Sequence, residues 1–246
     1  MLTYFFIQYM IVYMKKRFKI VSTLLACVVI ILSVQTATSA DMLAKSDTDN
    51  NIQENAEEPD SDRTLVHTIT EDQMRELTMK LNMIAKVEKK NLVEYIDELT
   101  GLGQDTARMI IDRCEEVGLD PFVVLAIIRV ESNFNTYTVG ALGERGLGQL
   151  MANTAEPVAA RLGVAYDPDK LFEPEYNVLL FTTQLKYLYE FYDWDFHKTL
   201  TAYNRGQYGL EKYIASRSSH VNPEVSDYSL MILDFATKYK YEFDNQ

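Results

Sequence analysis

The chain has 246 residues, 47% of them hydrophobic, and a formal charge of −12, which suits one globular domain with appendages. The first 40 residues hold four bases (Lys15, Lys16, Arg17, Lys19) and no acids, so the remainder carries 20 bases against 36 acids, a balance of −16. Such an excess argues against nucleic-acid binding by phosphate neutralisation, and against retention on anionic wall polymers or lipids by charge alone.

Residues 1–40 read as a leader. The basic patch Met14-Lys15-Lys16-Arg17-Phe18-Lys19 precedes an apolar run from Ile20 to Val34, and small polar residues Gln35 to Ala40 follow. This is the three-part pattern of a secretory signal with a cut after Ala40. The run is short for a spanning helix, which needs ~20 residues, and an uncleaved anchor is the alternative. Residues 1–13 are apolar and precede the basic patch, so the expected translation start is Met14. Leu24-Leu25-Ala26-Cys27 resembles a lipoprotein box, but Leu25 is bulky and apolar residues continue past Cys27. Either reading places the domain outside the cytoplasm, on the extracellular or cell-wall side of the membrane.

Residues 41–66 read as a flexible acidic linker. Positions 41–63 alone hold eight acids, two bases and few large apolar side chains, too little to bury for folding. Asp47, Asp49, Asn51 and Glu58 match part of a calcium-loop spacing, but Ile52 stands where the turn needs glycine. No metal and no cofactor is called for.

Residues 67–104 form a helical extension. Thr70 and Gln73 can cap it reciprocally, and Met74, Leu77, Leu81, Ile84, Val87, Leu92, Tyr95 and Leu99 recur at near-helical spacing. Gly101 and Gly103 end it. From 105 onward the pattern is all-α. A helix after Asp105 buries Ala107, Ile110, Ile111, Cys114 and Val117 and stops at Gly118. Cys114 is expected as an unpaired core residue. Asp120-Pro121 starts the next helix, and Phe122 to Val130 is apolar nearly all round, so that helix is central. Further helices are expected at 153–162, 174–192, 195–203, 207–216 and 224–240.

Chemistry concentrates at the end of the central helix. Glu131 follows an apolar wall, and burial disfavours a charged carboxylate, raising its pKa toward what a general acid needs near neutral pH. Glu131-Ser132-Asn133-Phe134-Asn135 is followed by Gly146-Leu147-Gly148-Gln149-Leu150-Met151-Ala152, then by Asn177, Ala202-Tyr203-Asn204-Arg205-Gly206 and Glu224-Val225-Ser226-Asp227-Tyr228.

These ordered blocks resemble the soluble lytic transglycosylase family over about residues 107–240. The family has Glu-Ser-x-Phe-Asn, Gly-Leu-Met-Gln-Leu-Met-Pro, Ala-Tyr-Asn-Ala-Gly and Glu-Thr-x-x-Tyr. The resemblance implies a lysozyme-like helical fold for residues 105–246 and cleavage of peptidoglycan glycan strands without water. Glu131 would protonate the oxygen between N-acetylmuramic acid and N-acetylglucosamine. It would then act as base on the muramoyl C6 hydroxyl, which attacks its own anomeric carbon to give a 1,6-anhydro end. An internal hydroxyl makes a second protein carboxylate unnecessary. Ser132, Gln149, Leu150, Met151, Tyr203, Asn204 and Tyr228 would form the substrate site, with the Tyr228 hydroxyl orienting Glu131. Core packing with a satisfied hydroxyl is the competing reading for each tyrosine.

The chain departs from the pattern at Gly140 (usually Ser), Glu144 (usually Ala), Gly148 (usually Met) and Ala152 (usually Pro). Gly148 is expected to loosen the loop. Glu144 lies in Gly143-Glu144-Arg145-Gly146, similar to a setting in goose-type lysozymes, and is the one possible second carboxylate. The expected reading is a solvated residue paired with Arg145. A hydrolytic muramidase and a glycan-binding assembly factor of a secretion or spore machine are the alternative functions. Glycan strands are the expected partner, nucleic acid is not, and membrane contact is expected only through an uncleaved leader. The sequence identifies no protein partner.

Overall fold

The computed structural model describes residues 71–246. The leader, the acidic linker and the Thr70 half of the expected capping box lie outside the described residues. Within them, eight α-helices and one 3₁₀ turn follow one another: α1 Glu71–Thr100, α2 Gln104–Val117, α3 Pro121–Ser132, α4 Ala152–Leu162, the turn Lys170–Phe172, α5 Pro174–Phe191, α6 Phe196–Arg205, α7 Gln207–Ser216 and α8 Asp227–Asp244. No named strand occurs among them. Two isolated antiparallel bridges, Val139 with Arg145 and Arg145 with Leu150, pin the long connection between α3 and α4.

The core is built around α3. The Asp120 side chain accepts from the Phe122 amide at 2.8 Å, and Pro121 opens the helix. Every residue from Phe122 to Ile128 is buried. Full burial of one such aliphatic side chain contributes about 1.5–3 kcal/mol, so α3 is held on all sides. It packs against α8, while α2 packs on α5.

Helix α1 reaches the core only in its last turns. Val93, Tyr95 and Ile96 are buried, whereas Leu77, Leu81, Ile84 and Val87 of the expected apolar stripe are exposed. Tyr95 ties α1 to the C-terminal helix by donating to Glu242 at 3.1 Å and packing its ring on Phe243 at 5.7 Å. Lys89 bridges to Asp112 and Glu115 of α2. Cys114 is buried and unpaired, with burial pushing its thiol pKa far up.

The expected final helix over 224–240 is corrected. It starts at Asp227 because Ser226, not Glu224, caps it, and it runs on to Asp244.

Candidate active site

Glu131 is the penultimate residue of α3, so the buried helix carries its carboxyl to the edge of the core. The side chain is half-buried. Tyr228, in the first turn of α8, donates its hydroxyl to Glu131 Oε1 at 2.6 Å, a length typical of a charge-assisted bond. Desolvation raises the Glu131 pKa from 4.5 to about 7; the Tyr228 bond opposes that rise, and the negative charge of Glu144 adds to it. Tyr203 of α6 belongs to the same cluster. Burial, and then the charge of Glu131, push its phenol pKa well up, and the same two causes act on Tyr228. Both tyrosines therefore stay protonated and donate.

The loop facing Glu131 is held by one buried amide. Asn177 Oδ1 accepts from the Gly148 amide at 2.8 Å, while Nδ2 donates to the Arg145 carbonyl at 3.0 Å and to the Leu171 carbonyl at 2.8 Å. The 3₁₀ turn at Lys170–Phe172 supplies that last carbonyl. Gly146 is required here: its φ is 75°, and a Cβ would collide with the Leu171 carbonyl and the Asn177 amide.

The expectation that Gly148 loosens the loop is overturned. Its amide is bound by Asn177, and its carbonyl accepts from the Tyr203 hydroxyl at 2.7 Å. A Cβ at this position would lie 2.6–2.8 Å from Phe181, so the missing side-chain volume is filled from α5.

The other expected site residues differ in their surroundings. Ser132 is buried and donates to the Ile128 carbonyl of its own helix at 3.0 Å, so its hydroxyl is not offered to a sugar. Leu150 is a core side chain, and its backbone pairs with Arg145 in both directions. Gln149 Nε2 braces the loop through the Thr138 and Gly146 carbonyls at 3.0 and 2.9 Å. Met151 is half-buried at the start of α4, and Asn204 is exposed on α6.

Glu144 does not pair with Arg145. Neighbours in extended backbone point to opposite sides. Arg145 turns outward to Asp169 at 2.9 Å and the Pro168 carbonyl at 3.0 Å. Glu144 folds back, half-buried, over Gly140 and accepts from the Leu142 amide at 2.9 Å. A side chain at 140 would occupy the carboxyl's place.

Sequence reasoning missed Phe181, Leu171 and Asp169, because their roles depend on contacts across the fold. It also missed a buried polar group behind Tyr228, formed by His197, Thr201, Ser226 and Ser229. The Ser226-x-x-Ser229 spacing was the available signal for that group. No cluster of three or more His, Cys, Asp or Glu residues able to hold a metal occurs among the described residues.

An acid at the end of a buried helix, a tyrosine on it and an Asn-pinned glycine loop opposite define a lysozyme-like helical domain of the lytic transglycosylase kind. Residues 108–224 match the family model of the transglycosylase SLT domain. Among curated relatives, membrane-bound lytic murein transglycosylase C of Photorhabdus laumondii is 34% identical over 99 residues, which are 36% of this chain and 28% of the relative. The protein of the same name from Edwardsiella ictaluri is 29% identical over 148 residues, 56% of this chain and 40% of the relative. The chain thus spans well under half the length of either. Two solved structures share the fold. Lytic transglycosylase Slt from Pseudomonas aeruginosa, as an inactive mutant, gives a TM-score of 0.51 at 19% identity, covering 61% of this chain and 26% of that one. The 70 kDa soluble lytic transglycosylase SLT70 from Escherichia coli gives 0.51 at 18%, covering 61% and 30%.

Proposed function

We propose that this chain is a peptidoglycan lytic transglycosylase that cuts the bond between N-acetylmuramic acid and N-acetylglucosamine without water. The observation that carries this reading is the Glu131–Tyr228 pair in a domain that matches the SLT family model. A carboxyl with a pKa of about 7 is substantially protonated at neutral pH. It gives its proton to the glycosidic oxygen as that bond breaks. The resulting carboxylate takes the proton of the muramoyl C6 hydroxyl as its oxygen closes on the anomeric carbon, so Glu131 ends protonated again. Tyr228 holds the carboxyl in place through both transfers, because its hydroxyl donates whichever charge Glu131 carries. Tyr203, Met151 and Asn204 line the cleft, and Gln149 shapes it by bracing the loop.

The relatives' names, membrane-bound lytic murein transglycosylase C, support an exported protein working at the cell envelope. We retain 1–40 as leader, 41–66 as linker, 67–104 as helical extension and 105–246 as the glycan-cleaving domain. No helix among the described residues is long and apolar enough to cross a membrane.

A hydrolytic muramidase is the second reading, favoured by one observation: the Glu144 carboxyl is turned inward and adds its charge to Glu131. Digesting purified peptidoglycan and weighing the muropeptides separates the two. The proposal expects 1,6-anhydro ends, one water lighter than hydrolytic products. Glu131→Gln should lose activity by roughly 10²–10⁴-fold with an unchanged circular dichroism spectrum. Reducing ends alone, with Glu144→Gln as inactive as Glu131→Gln, would establish hydrolysis.

A further inference from the structure

The polar group behind Tyr228 is more than filler. His197, Thr201, Ser226 and Ser229 are all buried, and a buried polar group must be matched to a partner. His197 and Thr201 lie one turn apart on α6 and face the start of α8. His197 Nδ1 meets Ser229 Oγ at 2.8 Å, and Thr201 Oγ1 meets Ser226 Oγ at 2.8 Å. Ser226 and Ser229 form a reciprocal capping box: each hydroxyl oxygen accepts from the other's amide, at 3.2 and 3.1 Å. Ser229 Oγ also donates to the Ser226 carbonyl at 2.9 Å.

Ser229 has a single hydroxyl hydrogen, and the Ser226 carbonyl takes it. With that hydrogen assigned to the carbonyl, the imidazole is the donor, from Nδ1. Burial lowers the His197 pKa, against the charges of Asp195 and Glu224, so the ring stays neutral with its proton on the nitrogen that faces Ser229. Tyr228 is one of the two residues between the halves of this box. Its hydroxyl reaches Glu131 at 2.6 Å from the opposite helix. A small rotation of the first turn of α8 would misalign that bond.

We propose that His197 is a positioning residue for Glu131: by donating to Ser229 it fixes the α8 cap, and the cap fixes the Tyr228 hydroxyl on the carboxyl. The kinetic consequence rests on the transglycosylase reading; the effect on the protonation of Glu131 does not. The groups facing Glu131 are Tyr228 from α8, Tyr203 from α6 and Glu144 from the loop. Of these, Tyr228 is the one carried by the cap that His197 contacts.

The test follows the side-chain carbon resonance of Glu131 through a pH titration in the full chain. Tyr228→Phe removes a bond that favours the ionised carboxyl, so the Glu131 midpoint should rise by about one pH unit. His197→Phe keeps the ring volume without the donor and should move the midpoint the same way. His197→Asn retains an N–H near the Nδ1 position and should stay near wild type. Adding His197→Phe to Tyr228→Phe should shift the midpoint no further. If His197→Phe does not fold, Ser229→Ala carries the same expectation. In cleavage assays, kcat should fall and its alkaline limb move up, with KM little changed. A His197→Phe or Ser229→Ala variant that melts earlier yet leaves the Glu131 midpoint in place would overturn the proposal, as would additive shifts in the double variant. A wild-type protein that never cleaves murein would defeat the functional reading and leave the titration result standing on its own.

Discussion

Replacing Glu131 with glutamine should make the protein more stable above neutral pH. The unfolded chain releases this proton near the ordinary value of 4.5, and the folded chain near about 7. Between those values the folded state holds more protons than the unfolded state, so stability falls as pH rises. The penalty is absent below the first value and complete above the second. At about 1.4 kcal/mol per pH unit the span corresponds to about 3 kcal/mol, and the solvent-facing edge of the side chain reduces this to about 2 kcal/mol. Glutamine has the same shape, still accepts from Tyr228, and never ionises. Thermal unfolding of both proteins from pH 4 to 8.5, followed by circular dichroism, checks this. All other titrating groups are common to the pair, so the difference between the curves isolates Glu131. The melting temperatures should nearly coincide at the acid end and separate by roughly 4–8 °C at the alkaline end, with the variant higher. Parallel curves would mean that the carboxyl ionises as easily in the fold as in water, and would remove the physical basis for its role as an acid.

Two more outcomes follow from the loop. Gly148→Ala should lower stability by about 1–3 kcal/mol, read by denaturant unfolding, because the new Cβ falls within 2.8 Å of Phe181. Glu144→Gln should lower the Glu131 pKa by removing a like charge, and Gly140→Ser should act in the same direction by displacing the Glu144 carboxyl; the alkaline limb of the cleavage profile would move to lower pH in both.

The helices were legible because their ends are written locally. Asp120-Pro121 opens α3 where expected, and α7 has the expected bounds over Gln207–Ser216. Glu131 was legible because an apolar run leads into it, and its link to Tyr228 came from a family resemblance rather than from spacing. The direction of Glu144 was not legible. Whether it meets Arg145 depends on two bridges in a segment with no strand pattern, and those bridges depend on Asn177 and Leu171 across the fold. The exposure of the first half of α1 was equally hidden, since a periodic apolar stripe does not say what stands opposite it. His197 escaped notice for the reverse reason. A lone histidine in sequence gains a role only when α6 and α8 are brought together.

The departures from the family pattern make sense as pairs. Gly148 stands where a methionine is usual, and Phe181 fills the space a side chain there would need. Gly140 stands where a serine is usual, and the Glu144 carboxyl, itself a departure from alanine, fills that space. In each pair another side chain occupies the space a Cβ would need, and the backbone bonds of the loop are kept. The two exchanges differ in consequence. The first is neutral in charge and leaves the Gly148 carbonyl on Tyr203, so it reshapes the cleft wall without touching the acid. The second brings a negative charge close enough to be felt by Glu131. Burial supplies most of the acidity tuning, and the Gly140–Glu144 exchange moves it further toward a carboxyl that holds its proton at neutral pH. On the proposed reading the acid is one carboxyl on the helix, tuned by a second that acts through its field, and that second role requires no bound water.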